Sequence, residues 1–411
     1  MKTNGFAAPL PVSFPVVEDC LHIGGVALTR LAQRAGGTPF YAYDRQMMTQ
    51  RVRELRAVLP SEMALHYSVK ANPMPAVVQH LATLVDGFDV ASGGELLVAL
   101  DTGKNPAHIS ITGPGKTEGE LCMAIASEIV VHVESERELN TVAGLGEQLG
   151  VTPRVMLRVN PDFELKSSGM KMGGGAKPFG IDAEAVPGLL TRISSMGLWF
   201  QGFHIFSGSQ NLRTDAVIEE KSRVVELALR LAEYAAVPMS CLNIGGGFGI
   251  PYFPGDGRLD MARIGEHLHQ CAERVKSCMP EAKVVLELGR YLVGEAGVYV
   301  TRVLERKTSR GQVFLVTDGG LNHHLPATGN FGQVIRRNYP VVIGNRVHGA
   351  SREVVSVVGP LCTPLDLLAD KVEMAVADIG DLVVVLQSGA YGLTASPVQF
   401  LSHPLPREVL V

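Results

Sequence analysis

Eight short β-rich runs, each followed by an amphipathic helical stretch, occupy the chain from Phe40 to about Gly289. The runs are "ALHYSVKA", "GFDVAS", "HISITG", "IVVHVE", "RVMLRVN", "FQGFHIFSG", "SCLNIGGG" and "KVVLELGR". Between them lie helical patterns such as "AVVQHLATLV", "ERELNTVAGLGEQLG" and "KSRVVELALRLAEYAA". Eight strand–helix units over about 250 residues are the arithmetic of a (β/α)8 TIM-like barrel, an α/β fold. A doubly wound open sheet competes, but it usually needs fewer strands and a different nucleotide loop. At 411 residues the chain also exceeds one ordinary core. After Arg290 the pattern turns to β-hairpins, as in "REVVSVVGPLC" and "KVEMAVADIGDLVVVLQSGAYG". The expected organisation is a barrel over 36–285 and a β-domain formed by 1–35 and 286–411.

Composition narrows the function. Apolar residues make up 46% and charged residues 19%, ample for large cores, and the net charge of −4 shows no basic bias. Nucleic acid and an anionic membrane are therefore poor partners. Cys20, Cys122, Cys241, Cys271, Cys278 and Cys362 form no CxxC pair, so neither a metal centre nor a disulfide framework is expected. The start "MKTNGFAAPLPVSFP" has no apolar signal-peptide core. No run of about 18 apolar residues occurs, and the expectation is a soluble, cytoplasmic protein.

In a barrel, chemistry gathers at the C-terminal ends of the strands. Those ends carry Lys70, Asp89, Ser92, Arg158, His204, Ser207, Gly245, Gly246, Gly247, Glu287 and Arg290. A single lysine at a strand end reads as a solvated cation; eight strands ending alike in polar and glycine residues point Lys70 into a site. "NIGGGFGIPY" offers backbone N–H groups unobstructed by side chains, a phosphate cradle at the place where barrels often bind phosphate, although a ligand-free turn fits as well. Arg290 adds a fixed cation. A lysine, a phosphate site and the carboxylate of Glu287 together suggest pyridoxal 5'-phosphate. The lysine would hold its aldehyde as an imine, and the acid would keep the pyridine nitrogen protonated. His204 would lie against the ring, its alternative being a hydrogen-bonded core histidine.

These residues carry a resemblance. "YSVKANP", "GFDVASGGEL", "TGPGKTEGEL", "VESEREL", "RVNPD", "KPFGID", "GFHIFSGSQ", "NIGGGFG", "ELGRYLV", "VVGPLCTPLD" and "SGAYG" follow one another in order along nearly the whole chain. The pattern resembles the fold-type III pyridoxal-phosphate-dependent decarboxylases, the group of diaminopimelate and ornithine decarboxylases. The resemblance implies an alanine racemase-like barrel with a C-terminal β-domain, and a homodimer with shared sites. It assigns Lys70 to the cofactor aldehyde, His204 to the ring face and Glu287 to the pyridinium. Asp89 and Arg158 become supporting groups, and Ser207, Gly245 to Gly247, Arg290 and Tyr391 the phosphate-binding set. Cys362 in "GPLCTP" matches the cysteine that reaches in from the other subunit and protonates the carbanion; a buried small hydrophobe is its ordinary reading. Related racemases place an arginine near the pyridine nitrogen, so Glu287 favours decarboxylation.

The pattern departs from diaminopimelate and ornithine decarboxylases at Thr363, where they carry an acid that reads the substrate's distal ammonium. A buried ammonium without a carboxylate is costly, and Asp366 is the substitute to examine. "CTPLD", "KMGGGAKPFGID" and "DGGLNHHL" resemble instead a subgroup that includes a decarboxylase of a glutamyl group on an acyl-carrier protein and siderophore-pathway decarboxylases. "GGVALTRLAQRAGGTPFYAYDR" and "GNFGQVIRRNYPVVIGNR" resemble most closely the exosortase A system-associated decarboxylases of exopolysaccharide-producing bacteria. The expected function is decarboxylation of an amino acid or a conjugate, including a carrier-bound one. The alternatives are meso-diaminopimelate decarboxylation to L-lysine and a non-catalytic cofactor-binding protein. Lys166, Lys171 and Lys177 on a glycine loop, and His323, His324, Arg336 and Arg337 further on, are candidates for facing an anionic substrate. His323-His324 lacks further ligands at helical spacing, and no metal is expected.

Overall fold

The computed structural model describes residues 13–164, 170–253, 255–331, 333 and 336–411. They form two compact units, one of Thr49–Ile250 and Arg258–Leu292, the other of the chain up to Met48, Pro251–Gly257 and Val293–Val411.

The first unit is a closed barrel. Its strands are β1 (Ala64–Ser68), β2 (Gly87–Val90), β3 (Ile109–Ile111), β4 (Val130–Val133), β5 (Arg154–Asn160), β6 (Trp199–Ile205), β7 (Cys241–Asn243) and β8 (Lys283–Leu288). Each pairs in parallel with the next, and β8 returns to β1 with Glu287 opposite His66. All eight anticipated runs are strands. β1 to β4 are buried along their whole length, as the near-continuous apolar runs of a parallel sheet require.

The helices between its strands include α1 (Pro75–Ala82), α2 (Gly93–Leu100), α3 (Glu118–Ala126), α4 (Glu136–Leu149), α5 (Val186–Ile193), α6 (Thr214–Ala232) and α7 (Met261–Cys278). Three consecutive helices begin on a Ser/Thr-x-x-Glu signature. The hydroxyls of Ser92, Thr117 and Ser135 accept from the N–H groups of Glu95, Glu120 and Glu138 at 3.2, 3.2 and 3.1 Å. Glu120 also reaches back to the Thr117 N–H at 3.0 Å, completing a capping box. Ser92 is thus a helix cap. These caps end the loops abruptly and hold the strand ends in register.

The second unit is mainly β. Gly297–Ser309 is its central strand, flanked by Leu382–Val385 and Gln312–Thr317, with Arg352–Val358 and Leu367–Ala375 beyond. Phe40–Tyr43 pairs with Gly297–Ser309 on one side and Arg407–Leu410 on the other. Its core gathers Leu21, Ile23, Leu28, Leu31, Phe40, Val298, Val300 and Val384. The division differs from 36–285 at both ends. Phe40–Tyr43 joins this unit, because four consecutive buried residues need neighbours on both edges. β8 and the turn through Leu292 stay with the barrel, because Glu287 and Leu288 lie on the strand that closes it.

Candidate active site

Lys70 lies on a single 3₁₀ turn, Val69–Ala71, that follows β1 directly. Asn72 and Pro73 cannot extend the strand, and Pro75 opens α1. The Tyr67 hydroxyl donates to the Asn72 carbonyl at 2.9 Å, and the Met74 N–H donates to Asn72 Oδ1 at 3.1 Å, fixing the turn that presents the lysine.

Opposing charges sit close by. The Glu287 carboxylate accepts from Ser68 Oγ at 2.7 Å and from Asn243 Nδ2 at 3.2 Å. Burial pushes its pKa up, but the Lys70 charge, the Ser68 hydroxyl and further neighbours outweigh that and hold it below the usual range. Asp89, fully buried on β2, goes the other way: burial and then the Glu287 charge hold it well above the usual range, against the pull of Lys70. The two carboxyls are thus driven apart, Glu287 toward its charged form and Asp89 toward its neutral one. Ser110 Oγ donates to Asp89 Oδ1 at 3.1 Å.

His204 Nε2 lies 3.6 Å from Glu287 Oε2, and the rings of His204 and His132 are 4.5 Å apart. Burial, then the Arg158 and Lys70 charges, keep His204 neutral, so this is a polar contact between a neutral ring and a carboxylate. Arg158 is locked by Glu134, with Nη1 2.7 Å from Oε1 and both side chains almost wholly buried. Glu134 also accepts from the N–H groups of Gly113 at 2.6 Å and Gly180 at 2.9 Å. With the Thr112 hydroxyl at 3.4 Å, these polar partners offset the cost of burying the pair.

The glycine run follows β7. A side chain on Gly246 would put Cβ 1.8 Å from the Glu287 carbonyl oxygen, and one on Gly247 would meet the Gly208 carbonyl at 2.5 Å. The glycines are needed for backbone packing whatever binds. Gly245 N–H donates to Asn243 Oδ1 at 2.8 Å. Both ring nitrogens of His204 are buried without a hydrogen-bond partner. Unpaired buried polar atoms on the face shared by Lys70 and Glu287 fit a polar aromatic ligand carrying an anion.

Lys70, Asp89, Arg158, His204, Ser207, Gly245 to Gly247, Glu287 and Arg290 all belong to the barrel unit. Cys362 and Tyr391 belong to the other, where Cys362 is exposed and Tyr391 adopts a positive φ of 53°. Asp366 faces inward: Oδ1 accepts from Leu321 N–H at 2.6 Å and Oδ2 from Leu361 N–H at 2.8 Å. His323 bonds the Pro404 carbonyl at 2.9 Å and His324 bonds Ser388 Oγ at 2.9 Å, both buried as structural histidines. Neither stands ready for substrate. Arg336 donates to the Leu367 carbonyl at 2.5 Å, while Arg337 stacks 3.9 Å over the Phe253 ring. Lys166 lies outside the described residues, and Lys177 is half-buried. Ser68, Asn243, Glu134 and Lys221 escaped the sequence reading. Ser68 and Asn243 are the last residues of β1 and β7, two positions before Lys70 and Gly245, and Glu134 closes "IVVHVE"; their place at the strand ends carried that signal.

Comparison with known proteins gives the class. Residues 45–294 match the family described as pyridoxal-dependent decarboxylase, pyridoxal binding domain. The chain is 38% identical over 400 residues to an L-glutamyl-[BtrI acyl-carrier protein] decarboxylase of Niallia circulans, covering 95% of this chain and 92% of that one. It is 34% identical to the diaminopimelate decarboxylase of Aquifex aeolicus over 394 residues, 95% and 90% of the two chains. A crystal structure of the M. jannaschii diaminopimelate decarboxylase with L-lysine superimposes with a TM-score of 0.87 at 26% identity, covering 97% of this chain and 92% of that one. The protein is a barrel-fold pyridoxal-phosphate enzyme, a carboxy-lyase. It belongs to the pyridoxal-dependent decarboxylases of the ornithine, arginine and diaminopimelate group.

Proposed function

We propose that this decarboxylase acts on an amino acid whose far end is carried as a conjugate, such as an aminoacyl group on a carrier protein, in place of a free diamino acid. One observation carries the reading. The acid that could have met a distal ammonium, Asp366, is spent on the N–H groups of Leu321 and Leu361, and Thr363 beside Cys362 is neutral. An ammonium seated there would lack a counter-charge. The similarity to a decarboxylase of a carrier-bound glutamyl group supports the same reading.

When bound, pyridoxal phosphate supplies an electron sink for the pair left as carbon dioxide departs. Lys70 would be the residue that holds the aldehyde covalently, its amine exchanging with the substrate's on entry and displacing the product's on exit. Glu287, held toward its charged form by Lys70 and the Ser68 hydroxyl, would keep the proton on the ring nitrogen. Neutral His204 supports the ring face, with His132 behind it. Asp89 and Arg158, the latter fixed by Glu134, brace this layer. Ser207, the glycine run, Arg290 and Tyr391 receive the phosphate. Cys362 returns a proton to the α-carbon, from the other copy of a homodimer in a cytoplasmic setting.

The test is carbon dioxide release from free meso-diaminopimelate, ornithine, lysine, arginine and glutamate, set against glutamate esterified to pantetheine as a thioester. Turnover of the thioester alone supports the reading. Efficient turnover of free diaminopimelate overturns it.

A further inference from the structure

α6 carries two ionisable residues in an otherwise apolar inner face, Glu220 and Lys221, which are 1% and 0% exposed. Lys221 Nζ donates to the carbonyls of Ile244 at 3.0 Å and Gly246 at 2.8 Å, and lies 3.4 Å from Glu220 Oε2. It therefore grips the glycine run from beneath, on either side of Gly245. Glu220 faces the Ser207 hydroxyl and N–H, and a side chain on Gly247 would come within 3.7 Å of its Oε2. Adjacent residues of one helix thus hold both arms of the phosphate cradle: Ser207 after β6 and the glycines after β7.

A wholly buried ion pair is a poor stabiliser, since two charges must leave water for one attraction. Well-packed apolar residues would serve packing alone at least as well. What a buried ammonium adds is a positive field that water screens weakly, acting on any anion seated above the loop. It also fixes two carbonyls, turning their negative ends toward itself. With Gly245 N–H already committed to Asn243, the N–H groups of Gly246 and Gly247 are left to meet the anion.

We propose that Lys221 is a positioning residue for the cofactor's phosphate, with Glu220 as the partner that anchors it and aligns Ser207. The inference rests on the cofactor-binding roles given above. Its test compares the cofactor with pyridoxal, which has the same ring and aldehyde but no phosphate. The apo forms of the wild type, of Lys221→Met and of the double variant Glu220→Gln, Lys221→Met are each titrated with both compounds. Both variants are expected to lose affinity for pyridoxal phosphate by about tenfold or more, while pyridoxal binds as to the wild type. The double variant, relieved of both buried charges, is expected to unfold at or above the wild-type temperature. Equal losses for the two compounds, no loss for the phosphorylated one, or failure of the double variant to fold would each assign the pair a structural role and end the proposal. A wild type that does not distinguish the two compounds would instead overturn the phosphate-site roles themselves.

Discussion

Glu287 draws its charge from its neighbours. Replacing it with Gln keeps the shape and the Ser68 contact but removes the negative charge facing the ring nitrogen. By analogy with other losses of a preorganised electrostatic group, kcat should fall about 10²–10³-fold, with cofactor affinity, read by titration, changing far less. Lys70→Ala should abolish both turnover and the visible absorbance of lysine-bound cofactor; retention of either would remove Lys70 from its role. Glu134→Gln strands the Arg158 guanidinium at a position almost closed to water. Breaking a buried pair on one side costs about 3–5 kcal/mol, which urea unfolding would register. Lys70 and Glu287 stand out in the sequence because a motif surrounds each. Ser68 and Asn243 do not, since a serine and an asparagine on a strand gain meaning only when closure of the barrel turns them toward one carboxylate.

Among the elements, the strands were plain in the sequence because buried parallel strands leave unbroken apolar runs. Phe40–Tyr43 was misallocated for the same reason. "FYAY" announces a strand buried on both faces but not the sheet that receives it, and that choice is made by Gly297–Ser309, more than 250 residues away. The motifs "GGEL", "TEGEL" and "SEREL" turn out to be helix caps as much as family marks. Thr117→Ala should therefore cost about 1 kcal/mol, measurable as a lowered urea midpoint with catalysis intact. Gly246→Ala is far more severe, because the new methyl would collide with the β8 backbone at Glu287. It should disturb folding and the carboxylate together.

For the molecule as a whole, acid is the natural stress. Burial depresses His66 to about 4 and His324 to about 3, from an ordinary 6.5. Both stay neutral in the fold while the unfolded chain takes up protons below 6.5. The unfolded state then binds more protons, so stability is full above that pH and declines as pH falls toward 4, by up to about 1.4 kcal/mol per unit for each histidine. Urea unfolding between pH 7 and 4 checks this, and His324→Asn should flatten the slope. If each site draws on two copies, as proposed, mixing inactive Lys70→Ala and Cys362→Ala chains should restore activity.

The strand Phe40–Tyr43 has one consequence for how the protein comes into being. It needs partners from Gly297–Ser309 and Arg407–Leu410, both synthesised after the entire barrel. On the ribosome the barrel can close as soon as β8 emerges, whereas Phe40–Tyr43 must wait, unsheltered, for strands made after the barrel. A stall just after β8 would thus release a chain whose barrel is complete and whose hazard for aggregation lies in the strand that precedes it.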